Sequence, residues 1–94
     1  MKITWREEKN RKNKRKHKIS FEAAQLVFDD PLHLTRWDRC EDGEERWQTT
    51  GMADGVVLLL VAHTYEETGE DLHVHIISAR PANSHERKVY EQGT

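Results

Sequence analysis

Hydrophobic and polar positions separate into a few distinct patterns along the 94 residues. The longest apolar run is Gly55–His63, in which Val, Leu and Ala do not alternate with polar residues. That pattern predicts a strand covered on both faces, with Val56–Ala62 in the interior of an antiparallel sheet. Gly51 and Gly55 bracket a turn before it, and His63, Thr64 and Tyr65 follow where the strand leaves the core. Leu72–Arg80 reads as its hairpin partner, reached through a turn near Thr68-Gly69 where glycine supplies a positive φ. Leu32–Trp37 and Arg46–Thr50 predict two further strands, separated by an acidic loop from Asp38 to Glu44. Lys2–Trp5 predicts a short edge strand with Ile3 and Trp5 on one face.

The helical signals are of two kinds. Glu7–His17 contains no apolar residue, yet its acids come first and its bases last, the order that a helix dipole favours. With no apolar stripe, such a helix is expected to rest on Lys and Arg stems or on a partner. The second segment is amphipathic: Ser20 is an N-cap, Ile19 a staple, and Phe21, Ala24, Val27 and Phe28 share a face. Asp29-Asp30-Pro31 ends it. Asn83 with Glu86 three residues on forms a capping box and opens a last helix to about Tyr90. The predicted order is β-α-α-β-β-β-β-α, one α+β domain over 1–94, with two N-terminal helices and one C-terminal helix on an antiparallel β-sheet.

Composition refines this in two ways. A single cysteine, Cys40, allows no internal disulfide, and neither a signal peptide nor a membrane span is visible, so the expected compartment is cytoplasmic. The formal net charge of −2 conceals a split: residues 1–20 carry nine Lys/Arg against two Glu, while the remainder is acidic. A segment this basic suits phosphate or an acidic partner, and the plain alternative is a solvated Lys-rich helix.

No P-loop, dinucleotide fingerprint, nucleophile elbow or paired-cysteine metal motif is present. Cys40 lies among acids, which raise a thiol pKa, so it is not expected to act as a nucleophile. His73 and His75 share a strand face, and His63 can fall opposite one of them, a set that could bind zinc; a polar half-exposed face is the simpler reading. More telling are His63, Arg46, Arg80, Lys16 and His17, which the expected topology brings to strand or helix ends. One rim carrying these groups suits metal-independent RNA cleavage, in which a base takes the 2′-hydroxyl proton and cations stabilise the phosphorane. The alternative is that the arginines pair with surface carboxylates and His63 is a satisfied core histidine.

The chain also resembles the BrnT family of type II toxin–antitoxin toxins over nearly its whole length. The matching words are Trp5 with Lys9-Asn10 and Asn13, then Lys16-His17-Lys18-Ile19-Ser20-Phe21-Glu22-Ala23-Ala24, a form of KHGVSFEEA. Val27–Leu32, Glu44–Trp47, Val61–Thr64 and Ile76–Ala82 follow, with His85-Glu86-Arg87 and Tyr90. Lys18 stands where the family usually has Gly, and Pro81 interrupts the usual Arg-Arg pair. The resemblance implies a RelE-like fold and a ribonuclease, without cofactor, that blocks translation. It implies neutralisation by a BrnA-like antitoxin with a ribbon-helix-helix domain, in a heterotetramer that reaches operator DNA only through the antitoxin. On it, the positions to test are Lys16, His17, Glu45, Arg46, His63, Arg80 and Glu86. The reading from a different class is a non-catalytic module whose basic N-terminal helix holds nucleic acid or an acidic partner.

Overall fold

In the computed structural model, residues 1–93 are described. The elements are β1 (Lys2–Trp5), α1 (Glu7–His17), α2 (Phe21–Ala24) with a 3-10 turn Gln25–Asp29, β2 (Leu34–Glu41), β3 (Glu44–Ala53), β4 (Val57–Thr68), β5 (Asp71–Pro81) and α3 (Ser84–Gln92). This is the order expected from the sequence. The amphipathic helix is shorter than expected. Ser20 caps it by accepting from Ala23 N at 3.0 Å, but Asp30 accepts from Met52 N at 2.8 Å and draws the following segment onto β3. The 3-10 winding there leaves both Val27 and Phe28 buried.

The five strands lie in the order β1-β5-β4-β3-β2. Strands β2 to β5 form an antiparallel meander, as their short connections require. The expectation of a wholly antiparallel sheet fails at β1, which runs parallel to β5 from Lys2↔His73 to Trp5↔Ile76. The long intervening path through α1, α2 and the meander allows this pairing, so the sheet is mixed. The expected acidic loop is also mostly strand. Asp42 (φ 52°) and Gly43 (φ 79°) make a two-residue turn with the left-handed geometry hairpins favour, and the strands run up to it on both sides. Asp54 and Gly55 turn in the same way, which leaves Val56 exposed outside β4.

The inner sheet face carries Leu59, Val61, Val74, Ile76 and Ala79 against Phe21, Ala24, Val27 and Phe28. Gly51 is needed for this contact, since a Cβ there would stand 2.9 Å from Val27 O. On the outer face Leu58 and Leu60 are also buried, so β4 is covered on both sides over this stretch. Part of that cover is α3, whose Glu86 and Val89 line a groove with Leu60. No residue of α3 is itself buried. Polar clasps hold it: the expected capping box, the Arg80–Glu86 pair, and Tyr90 Oη donating to Asp30 Oδ2 at 2.6 Å. The Asp30 hydrogen bond, together with burial, pushes the Tyr90 phenol up to about 12.

Helix α1 is not seated on Lys stems. Its two buried residues, Asn10 and Asn13, stand one turn apart. The Asn13 carboxamide donates to Ala79 O (2.8 Å) and Ile19 O (2.9 Å) and accepts from Ala79 N (3.1 Å). It therefore replaces a strand along the β5 edge beyond the end of β1. Asn10 accepts from Phe21 N and donates to Glu7 and Glu22. Lys18 closes α1 in the left-handed region (φ 62°), its N–H donating to Lys14 O, which accounts for glycine as the usual family residue there.

Candidate active-site face

Register decides which sequence candidates meet. Arg80 pairs with Leu60, and Leu60 with Thr50, so Arg80 shares the outer face with Thr50 and with Gln48 two residues earlier on β3. Arg36 pairs with Gln48 and joins them from β2. Against these strands α3 closes a groove of about 220 Å³ lined by Leu34, Arg36, Gln48, Leu60, His85 and Glu86, among others. At its border the Arg80 fork is gripped end-on by Glu86, Nη1 to Oε1 and Nη2 to Oε2, both at 2.8 Å. Nη1 also donates to Pro81 O at 3.2 Å. Among the described residues, the Nε–H and the second Nη2–H have no protein acceptor. These lie along one edge of the guanidinium, the spacing that two phosphate oxygens accept. The hydrogen bond from Arg80 holds the Glu86 carboxyl below its ordinary range, and the same bond raises Arg80. The pair stays charged.

Other candidates lie elsewhere. Lys16 and His17 line a separate groove of about 200 Å³ with Lys9, Lys12, Asn13, Ile77 and Ser78. Ser78 is two residues from Arg80 on β5, so the basic helix borders the site without entering it. Arg46 is on the outer face too, but it is four residues along β3 from Thr50 and two strands from Arg80, about 16 Å away. It pairs instead with Glu44 at 3.3 Å and, through Nε, with Glu41 at 4.0 Å, too far for its buried Nε–H to make a hydrogen bond. The single rim expected from the sequence does not form, because Arg80 and Arg46 sit at opposite ends of the meander.

His63 needs the largest correction. It does not emerge from the core: it is fully buried on the inner face. Its Nδ1–H donates to Thr64 O at 2.9 Å, and Nε2 accepts from Thr49 Oγ1 at 2.7 Å, which is 2.8 Å from Thr35 Oγ1. Phe28 packs edge-on at 5.2 Å between ring centres. Burial depresses its pKa, so it is a neutral, satisfied core imidazole. Nor can it join His73 and His75 around a metal. Those two pair with Glu66 and Thr64 on the outer face, and both meet Thr4 Oγ1, at 2.7 and 3.0 Å. Glu45 alternates with Arg46 and so also lies on the inner side of the sheet. Sequence reasoning missed Arg36, Gln48 and His85; the capping box placed His85 on a helix but did not show which face it meets.

The backbone as a whole is similar to the 1.1 Å crystal structure of the Brucella abortus ribonuclease toxin BrnT, with a TM-score of 0.60 at 22% identity, covering 89% of this chain and 99% of that one. The fold is thus that of a small α+β domain, a five-stranded mixed sheet with three helices. The sequence goes further: the profile of the ribonuclease toxin BrnT of type II toxin–antitoxin systems matches residues 5–86, and the chain belongs to that family. Membership implies a protein antitoxin as partner. No curated protein matches significantly. Among the described residues no helix is long and apolar enough to cross a membrane.

Proposed function

We propose that the chain is a RelE-like, metal-independent endoribonuclease that acts in the cytoplasm and blocks translation by cutting RNA at the groove between α3 and the outer sheet face. The observation that carries this is Arg80: Glu86 fixes its fork end-on and leaves two N–H groups on its free edge. Those groups hold the non-bridging oxygens of the scissile phosphate and stabilise the charge that builds on the phosphorane. Glu86 positions Arg80 and is too well paired to serve as a base. The exposed His85 imidazole transfers protons between the 2′-hydroxyl, the phosphate and the leaving 5′-oxygen, since one ring nitrogen can accept a proton while the other donates. The 2′-oxygen attacks phosphorus as the P–O5′ bond breaks, giving a 2′,3′-cyclic phosphate and a 5′-hydroxyl. Arg36 and Gln48 hold the adjoining nucleotide. Lys16, His17 and Arg46 meet more distant phosphates. His63 and Glu45 are left out of the reaction. The partner is a BrnA-like antitoxin with a ribbon-helix-helix domain, in a heterotetramer that binds the operator through the antitoxin.

Purified protein incubated with RNA should yield those termini equally with and without EDTA. Arg80→Ala should lower the rate by about 10²–10³, the usual effect of removing one transition-state donor. Binding without cleavage by the wild type would leave the non-catalytic module, for which the basic face of α1 speaks. Cleavage abolished by EDTA and restored by a divalent metal would overturn the metal-independent mechanism.

A further inference from the structure

The inner sheet face is covered by α2 and the 3-10 turn only as far as His63. Beyond it three aromatic side chains continue across β2, β3 and β4. Trp37 pairs with Trp47, Trp47 pairs with His63, and Tyr65 follows His63 on the same face. The Trp47 and Tyr65 rings are 5.7 Å apart between centres. Trp37 and Tyr65 are 54% and 41% exposed, and β2 is an outer strand, so the row can be reached from the side. An uncovered row of this kind marks a docking surface.

Its charge selects the occupant. Residues 38–46 and 65–71, which form the hairpin ends around the row, contain nine Asp/Glu and two Arg. Both arginines are already paired: Arg39 with Asp38 and Glu41, Arg46 with Glu41 and Glu44. On the aromatic face itself, Glu45 stands two residues beyond Trp47, and Glu67 two beyond Tyr65. This potential repels nucleic acid and attracts cations, and indole and phenol faces bind guanidinium well. We propose that the Trp37–Trp47–Tyr65 face docks a Lys/Arg-bearing segment of a protein partner, its cations lying over the rings and between Glu45 and Glu67. The surface lies on the opposite side of the sheet from the Arg80 groove, so the inference stands or falls apart from the ribonuclease reading.

Cys40, the single cysteine, is exposed and pairs with Glu45, so its thiol reports occupancy of this face. The probe is a short peptide of alternating Arg and Ala, compared with one of Glu and Ala and with single-stranded RNA. The Arg peptide should slow reaction of Cys40 with a thiol reagent and change tryptophan emission, and the other two should not. Its affinity should fall about tenfold in Trp37→Ser, the factor a well-desolvated cation–π contact carries, and again in Glu45→Lys/Glu67→Lys. Trp37 is an exposed edge residue, and an unchanged circular dichroism spectrum checks that the variants fold. Equal peptide affinity in wild type and Trp37→Ser would overturn the proposal, as would protection of Cys40 by RNA. Protection that rises with protein concentration alone would make the occupant a second copy of the chain and would overturn it too.

Discussion

At the scale of single residues, the sheet face on which a side chain falls decides what its chemistry is for. His63 and Arg80 both sit on buried strands, yet one is sealed with both nitrogens used and the other has two N–H groups without an acceptor among the described residues. The sign of the His63 effect on stability follows from its depressed pKa. The unfolded chain binds the proton at the ordinary value near 6.5, the folded chain only at lower pH, so stability is full above about 6.5 and falls as pH drops below it. His75 is depressed by burial too and adds in the same direction. The melting temperature should therefore decline between pH 6.5 and 5, and His63→Gln should flatten that decline whatever it does to the maximum. An unchanged slope would show that His63 does not titrate with folding. Lys18 offers a backbone test. Relieving its left-handed φ, Lys18→Gly should raise stability by about 1 kcal/mol in chemical denaturation.

At the scale of elements, polar side chains attach the two long helices that flank the sheet. Asn13→Ala would leave the Ala79 N–H and carbonyl without partners in a buried place, at a cost on the order of 2–4 kcal/mol. Arg11→Ala, one turn face away and exposed, should change stability by less than about 0.5 kcal/mol. The contrast explains what the sequence displayed and what it hid. Strands β4 and β5, the caps at Ser20 and Asn83, and the extent of α1 were legible because each has a local signature in period, cap or charge order. The seating of α1 was not, because Asn10 and Asn13 look like two more polar residues until the β5 edge is in place beside them. The Asp42-Gly43 pair is itself a hairpin signature, masked by the surrounding acids, which read as a loop. Of the candidate site, Arg80 and Glu86 stand out in the sequence, but their contact and the nearness of His85 depend on how α3 lies across the sheet. The clasps on α3 predict its dynamics. Tyr90→Phe should speed amide exchange throughout Ser84–Gln92 and leave β4 protected, because no buried side chain holds the helix once Asp30 is released.

At the scale of the molecule, charge is sorted to separate places: a basic helix along the β5 edge and acidic ends on the hairpins. Cations on α1 that touch RNA release counterions, each contributing about 0.7 to the slope of log affinity against log salt for a single strand. If RNA follows the groove beside Ser78, the variant Lys9→Gln/Lys12→Gln/Lys16→Gln should lower that slope by about 2. Glu45→Gln, on the other side of the sheet, should leave it unchanged. A slope indifferent to the three lysines would place the RNA path elsewhere.

The parallel pairing of β1 with β5 has a consequence for biosynthesis. The ribosome makes β1 first, but the strand it must lie against is completed only with residues 73–76, and the Ala79 groups that seat α1 come later still. Until then the emerging chain has neither Arg80 nor the edge that aligns its basic helix. Closure of the sheet is thus deferred until β5 has emerged, when β1 can lie against it. Until β5 has emerged, the groove assigned to the proposed reaction does not exist.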